Sequence, residues 1–259
     1  TGAGLILLAH AASFGIILLA VALIGLGSAI FHPEASRIAR LAAGMRPGFA
    51  QSVFQVGGNA GSAIGPLAAA FIVMERGQVS IEWFAAVALA AMLLLTFVGR
   101  WYQATGAARA QARKSRARAT QPLPPRVVRL GMTLLILLMI SKFVYSVSLS
   151  SYYTFYLIER FGLTANQAQV ALFIFLAAVA AGTLVGGPIG DRIGRRKVIF
   201  ASILGILPLT LAVQWLPLVP AVIFVSLSGM ILASAFPAMV VYAQDLMPQS
   251  TGMVAGLMF

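Results

Sequence analysis

The 259 residues contain no cysteine, six acidic residues and two histidines, and only 9% of them are charged. The absence of cysteine excludes a disulfide framework, thiol chemistry and a thiolate metal site. The sequence also has no cluster of metal ligands, no nucleotide-binding loop and no arrangement of a nucleophile with a base. We therefore expect no metal, no cofactor and no enzymatic activity.

Long apolar runs dominate the sequence instead. Hydrophobic residues make up 60% of the chain and the mean hydropathy is +0.95, whereas about a quarter of the residues in a soluble domain are charged. The apolar runs are roughly 20 residues long, which is the length that a helix needs to cross the hydrocarbon core. The predicted fold class is all-α, a polytopic membrane helical bundle.

The apolar runs predict a partial helix at 1–12, a truncated helix from 249 onward and seven complete spans between them. The spans are 15–41, 49–74, 82–102, 127–158, 164–186, 197–214 and 218–245. Neither end of the chain carries a leader or a polar tail, so we expect the chain to be a piece of a longer protein.

An internal repeat supports this division. A shift of 204 residues pairs Pro33 with Pro237 and Gly48 with Gly252, and three further pairs match: Gly25 with Gly229, Ala29 with Ala233 and Ala39 with Ala243. The pattern predicts an incomplete pseudo-repeat of two helical halves. The predicted domains are 1–100 and 127–259, joined by a linker at 101–126.

Positive charge is concentrated on one side of the predicted bundle. Of the 18 Lys and Arg residues, 15 fall in one set of loops, two (Arg76 and Arg160) fall in the other, and Lys142 lies inside a span. Because basic loops remain cytoplasmic, we expect the 101–126 linker and the 187–197 loop on the cytoplasmic face. The same rule explains the net charge of +12, so nucleic acid is not expected as a partner. The basic linker either binds acidic lipid headgroups or only tethers the halves.

The segment 187–197 reads GPIGDRIGRRK and joins two apolar runs. Its charges and irregular backbone would be unsatisfied in lipid, so we predict a tight charged turn between two membrane helices. The pattern G-x-x-x-D-R-x-G-R-R-K resembles the loop signature of the major facilitator superfamily of secondary transporters. The resemblance implies the major facilitator fold, with Asp191 as a conformational pin at a helix end. The other motif residues are Gly187, Arg192, Gly194 and Arg195. A loop that only orients the helices is the alternative.

A stripe of glycines precedes Pro66. Gly57, Gly61 and Gly65 recur at every fourth position, which permits close helix contact, and Pro66 can bend the helix. Gly61, Gly65 and Pro66 resemble the Gly–Pro motif of the superfamily's antiporters, although its final glycine pair is replaced by alanines at 68–70. A packing face without a role in transport is the alternative.

Three ionisable residues, His32, Glu34 and Arg37, lie near one end of the predicted span 15–41. Glu34 and Arg37 share a helix face and are able to pair, and histidine titrates near neutral pH. Because ionisable groups at membrane depth usually line a cavity or a proton route, our hypothesis assigns proton coupling to these three residues. In the alternative, Arg37 extends to the membrane interface with Glu34 as its counter-ion.

Lys142 lies deep in the predicted span 127–158 and is followed by a polar and aromatic run. A lone buried ammonium needs water or a partner, and such a run suits a cavity for an amphipathic or anionic substrate. We predict that Lys142, Tyr145 and Tyr152, together with Asn59, line this cavity. A structural ion pair between Lys142 and an acid elsewhere is the alternative.

The runs 31–37 and 51–61 are similar to those of bacterial drug-efflux members of the superfamily. The resemblance implies a monomeric transporter in the bacterial inner membrane, surrounded by lipid, that exports a small drug in exchange for protons by alternating access. The arginine that many drug–proton antiporters carry in their fourth helix falls on Val21, so coupling would use Glu34 and Arg37 or another acid. The alternatives are import of a small organic anion or sugar by a facilitator or symporter, and a channel or scaffold.

Overall fold

The structure is a computed structural model that describes residues 1–68, 72–106 and 124–258, and every regular element in these residues is a helix. The helices are α1 (Gly2–Ala9), α2 (Phe14–Ala42), α3 (Pro47–Ala68), α4 (Trp83–Ala104), α5 (Pro125–Phe161), α6 (Ala165–Ile193), α7 (Arg195–Val213), α8 (Leu218–Leu246) and α9 (Thr251–Met258). A single turn at Met74–Arg76 and a 3-10 helix at Gln78–Glu82 precede α4. The all-α prediction is confirmed.

Six helical segments in the described residues are long and apolar enough to cross a membrane. They are α2, Gln78–Ala104, α5, α6, α7 and α8. The predicted span 49–74 corresponds to α3, which is described over Pro47–Ala68. Residues 69–71, and residues 107–123 of the predicted linker, lie outside the described part of the chain, and the predicted domain division stays a prediction.

The internal repeat reappears in the helix boundaries. The shift of 204 residues maps Phe14 onto Leu218 and Ala42 onto Leu246, so that α2 coincides with α8 from end to end. Both helices have 29 residues and each contains one internal proline. The same shift places the start of α3 on the start of α9 and the end of α1 on the end of α7. The break predicted between 12 and 15 is therefore real.

The predicted turn at 187–197 is wrong in its extent. Helix α6 continues to Ile193, and only Gly194 separates it from Arg195, where α7 begins. Gly194 has φ of +97°, a conformation that residues with a side chain rarely adopt. Three charged side chains of this segment have polar partners while the backbone stays helical: Asp191 and Arg195 lie 3.8 Å apart, and Arg196 Nε donates to the Tyr242 hydroxyl at 2.9 Å.

The chain packs as two compact units, the first comprising residues 1–32 and 64–124 and the second residues 33–63 and 125–259. In the first unit, the Gln78 side-chain amide donates hydrogen bonds to the carbonyl oxygens of Leu8 (2.8 Å) and Ala11 (3.0 Å). The Ala11 carbonyl follows the end of α1, and the Leu8 carbonyl also accepts the Ala11 N–H at 3.3 Å, so Gln78 adds a side-chain donor where the helix ends.

Helix α8 is at the centre of the second unit. One buried apolar cluster joins it to α5, α7 and α9, and includes Met139, Val198 and Met239. A second cluster joins it to α5 and α6 and includes Leu157 and Phe175. Many large apolar side chains elsewhere on these helices are exposed, as expected of surfaces that face lipid rather than water.

Glycines allow α6 and α8 to approach closely. A Cβ atom added at Gly182 would overlap the Met230 carbonyl oxygen, and one added at Gly186 would overlap the Ser234 carbonyl oxygen. Gly182 and Gly186 form a G-x-x-x-G pattern, the spacing that lets two membrane helices meet backbone to backbone. The spacing of Gly182 and Gly186 is visible in the sequence, but the contact between α6 and α8 was not predicted from it.

The glycine stripe of α3 behaves differently. A Cβ atom built at Gly57 or Gly61 would have no described atom within 4 Å, so the close helix contact predicted for this stripe is absent from the described residues. Gly65 and Pro66 lie inside α3, and their proposed part in an antiporter motif stays a prediction.

Candidate functional site

Several helix termini of the second unit meet at one end, which we call the charged end: the last turns of α2, α6 and α8 and the first turns of α3 and α7. Four side chains of alternating charge connect them. Arg40 of α2 and Arg195 of α7 both pair with the Asp245 carboxylate of α8, and an Arg195 Nη2 atom is 3.8 Å from an Asp191 oxygen. This row of ion pairs joins helices that are far apart in the sequence.

Asp191 also caps the beginning of α3. Its two carboxylate oxygens accept hydrogen bonds from the backbone N–H groups of Gly48 and Phe49, both at 3.0 Å. The first N–H groups of a helix have no partner within the helix, and the helix dipole favours an anion there. A carboxylate at this position therefore satisfies two donors and adds a favourable charge interaction.

The backbones of α3 and α6 come together beside this cap. A Cβ atom at Gly48 would be 2.5 Å from the Gly187 carbonyl oxygen, so both positions have to be small. The Gly187 N–H donates to the Ser52 hydroxyl oxygen at 3.0 Å, and the Asn59 side-chain amide donates to the Thr183 hydroxyl oxygen at 3.1 Å. Polar contacts thus follow α3 inward from the charged end over three turns.

A buried polar layer lies in these same helices. Ser36, Gln51, Ser52 and Gln244 are each at most 1% exposed. The Ser36 hydroxyl donates to the Gln51 side-chain oxygen at 3.1 Å. Within the described residues, the Gln51 side-chain nitrogen and both polar side-chain atoms of Gln244 have no hydrogen-bond partner. Such unsatisfied buried groups are uncommon in folded proteins.

Glu34 and Arg37 share a face of α2 and form an ion pair. Arg37 Nε donates to a Glu34 carboxylate oxygen at 2.9 Å, and a second guanidinium nitrogen donates to the other oxygen. The Glu34 side chain is 52% exposed and that of Arg37 is 26% exposed. His32 lies one turn along from Ser28 and hydrogen-bonds through Nδ1 to the Ser28 carbonyl and hydroxyl oxygens, each at 3.0 Å.

The four residues predicted to line one cavity lie in different surroundings. Lys142 Nζ donates to the Ser202 hydroxyl at 3.3 Å, and the Tyr145 hydroxyl bonds that of Thr210, so both side chains reach α7. Asn59 bonds Thr183 of α6 instead. Tyr152 is 71% exposed. The described residues do not join these four into a single site.

A large groove does exist in the second unit, with a volume of about 850 Å³. It lies between the beginnings of α6 and α8, and most of its lining is apolar, with Val170, Ile174, Val219 and Ile223 among the lining residues. None of the four predicted cavity residues lines it. The predicted substrate cavity therefore stays a prediction.

The sequence predicts Asp245 as a cap at the cytoplasmic end of its helix, with a coupling acid as the alternative, and Arg40 as an interfacial residue, whereas Ser52 and Thr183 were not predicted. The ion pair between Arg40 and Asp245 was not predicted, although the 204-residue shift pairs Arg40 with Gln244, the neighbour of Asp245. Asp245 is also one of only six acids in the chain. Nothing in the spacing pointed to Ser52 or Thr183, since their partners are 135 and 124 residues away.

Comparisons with known proteins identify the family of the chain and two of its relatives. The sequence model of the Major Facilitator Superfamily matches residues 1–259. The chain is 51% identical over all 259 residues to the fosmidomycin resistance protein of Escherichia coli (strain K12), of which it covers 63%. It is 40% identical over 98% of its length to the uncharacterized MFS-type transporter YfnC of Bacillus subtilis (strain 168), of which it covers 62%. The chain thus spans less than two thirds of these relatives.

Proposed function

Because the chain belongs to the major facilitator superfamily, a family of transporters, we propose that the full-length protein exports a small drug from the bacterial cytoplasm in exchange for protons. The relative with 51% identity is a fosmidomycin resistance protein, so fosmidomycin is the first drug to test. The observation that carries the proposal is the charged end, where Asp191 caps α3 and ion pairs join α2, α7 and α8.

In this proposal the charged end is the cytoplasmic gate of an alternating-access transporter. A carrier must open each side of its binding site in turn. Contacts made of ion pairs and capping bonds suit a gate, because water can replace each of them when the helices separate. The row from Asp191 through Arg195 and Asp245 to Arg40 is short and polar, and it corresponds to the closed gate.

Proton coupling is assigned to Glu34 and its partner Arg37. The Glu34 side chain is 52% exposed, and in this proposal it exchanges protons with water in the transport pathway. A proton on Glu34 removes the negative charge that holds the Arg37 guanidinium, which then becomes available to another anion. His32, which lies in the same helix, is a second candidate for this proton route.

Substrate binding is assigned to Lys142. It lies in the middle of α5, and its Nζ atom is held by the buried Ser202 hydroxyl at 3.3 Å. Fosmidomycin is a phosphonate, and an ammonium group in a medium of low dielectric attracts such an anion more strongly than it would in water. In this proposal Tyr145, Tyr152 and Asn59 contribute polar groups to the wider cavity of the full-length protein.

Transport into inside-out vesicles tests the proposal directly. Full-length protein is expected to accumulate fosmidomycin when a proton gradient is imposed, and Glu34→Gln is expected to abolish the dependence on the gradient. Glu159→Gln is the matched control, because Glu159 is an exposed acid in the last turn of α5. Saturable fosmidomycin flux that ignores the gradient in the unmodified protein would contradict antiport and indicate a facilitator. Unsaturable flux would indicate a channel.

A further inference from the structure

Gln244 is the most unusual buried side chain of α8. The other buried residues of this helix are apolar, glycine or serine, whereas Gln244 is 1% exposed and carries a full amide group. Neither its side-chain nitrogen nor its side-chain oxygen has a hydrogen-bond partner in the described residues. Gln51 of α3 repeats the situation in part, because only its oxygen is bonded, to Ser36.

The internal repeat relates Gln244 of α8 to Arg40 of α2. The shift of 204 residues that superposes α2 on α8 pairs Gln244 with Arg40. Arg40 extends from α2 to Asp245 of α8, the residue that follows Gln244 in the chain. Arg40 has a charged partner, whereas the Gln244 amide has no hydrogen-bond partner in the described residues. Both lie at the charged end.

An unsatisfied buried amide destabilises the arrangement that buries it. The group loses its hydrogen bonds to water when the helices close and gains none from the described residues in return. When the charged end opens and water enters, both amide atoms recover partners. The penalty therefore applies to the closed arrangement alone, and it shifts the equilibrium toward the open one.

We propose that Gln244 favours opening of the charged end. Its unsatisfied amide keeps the closed arrangement only marginally more stable than the open one, so that the gate can open and close repeatedly. This inference deepens the proposed function and rests on the charged end being a gate. The ion pairs of Arg40, Asp245 and Arg195 hold the gate closed, and Gln244 opposes them. Gln51 contributes in the same direction through its unbonded nitrogen.

Cysteine labelling measures the opening directly, because the 259 residues contain no cysteine of their own. Ser52→Cys places a thiol at a position that is 0% exposed and in contact with α6, so a maleimide reaches it only when the charged end opens. In nanodiscs, full-length S52C protein that also carries Q244M should be labelled about tenfold more slowly than S52C alone, since removal of one unsatisfied amide has an effect of this order.

Gln214→Met is the matched control. It makes the same change of side chain at an exposed position beyond the other end of α7, and the labelling rate should not change. Q244L provides a second apolar replacement in case Q244M does not fold, and it should also slow labelling. An unchanged or faster labelling rate in the folded Gln244 variants would overturn the inference.

The labelling experiment is independent of transport. If unmodified vesicles carry no fosmidomycin but Q244M still slows labelling, the proposed substrate is wrong and the role of Gln244 stands. If fosmidomycin is transported and Q244M leaves the labelling rate unchanged, the proposed function stands and the proposed role of Gln244 is wrong.

Discussion

The carboxylate of Asp191 accepts a hydrogen bond from the backbone N–H of Gly48, 143 residues earlier in the chain, at 3.0 Å. The two residues belong to α6 and α3, and their contact is possible because residues 48 and 187 are both glycine. The same carboxylate bonds the N–H of Phe49 and is close to Arg195. One side chain thus connects the beginning of one helix with the break between two others.

Replacement of Asp191 by Asn should loosen the charged end. The amide keeps one acceptor oxygen, but it loses the charge that the N-terminus of α3 favours, and its NH₂ group faces a backbone donor. The loss of such a cap costs about 0.5–2 kcal/mol, so the Ser52→Cys thiol should be labelled about 2- to 30-fold faster. Glu159→Gln is the control, since this exposed acid is far along the chain from the cap. Equal labelling rates in the two variants would show that Asp191 does not hold the gate.

The Arg40–Asp245 pair should be energetically coupled across the charged end. A double-mutant cycle with Arg40→Gln and Asp245→Asn, measured by unfolding in detergent, is expected to give a coupling energy of about 1–3 kcal/mol. The side chains are 15% and 32% exposed, so the pair is only partly screened by water. The Glu34–Arg37 pair on one helix should give about 0.5 kcal/mol or less. Additive effects of the two gate variants would remove the pair from the gate.

Gly186→Ala should destabilise the contact between α6 and α8. The added methyl group overlaps the Ser234 carbonyl oxygen, so the helices must separate, at a cost of about 1–3 kcal/mol. The melting temperature in detergent should fall. Gly205→Ala is the matched control, because the nearest atom to its Cβ, Ile231 Cγ2, is at an ordinary 3.6 Å. A melting temperature unaffected by Gly186→Ala would contradict the close approach of the two helices.

Lys142→Gln should weaken the binding of an anionic drug. The change removes the ammonium but keeps a donor for the Ser202 hydroxyl, so KM for fosmidomycin should rise about tenfold, as expected for loss of a charged hydrogen bond. Lys197→Gln removes the same charge at an exposed position in the first turn of α7 and should leave KM unchanged. An unaltered KM in Lys142→Gln would assign this lysine to the α5–α7 contact alone.

Helix number and order were predictable from the sequence because hydropathy is a local property, although α6 continues to Ile193, beyond the predicted span 164–186. Each span needs about 20 apolar residues wherever it lies, and the repeat independently separated α1 from α2. The ion pair of Glu34 and Arg37 was predictable for the same reason, since a spacing of three residues places both on one helix face.

The charged end was decided by the tertiary structure. Asp245 pairs with Arg40, 205 residues away, and no periodicity within a helix specifies which of several basic helix ends an acid will meet. Likewise, Lys142 and Tyr145 hydrogen-bond side chains of α7 whereas Asn59 hydrogen-bonds one of α6, because the rotation of each helix follows from side-chain packing against its neighbours. Local sequence determines where a helix begins and ends; the contacts that place polar groups together depend on helix packing, a sum of many weak interactions between distant segments.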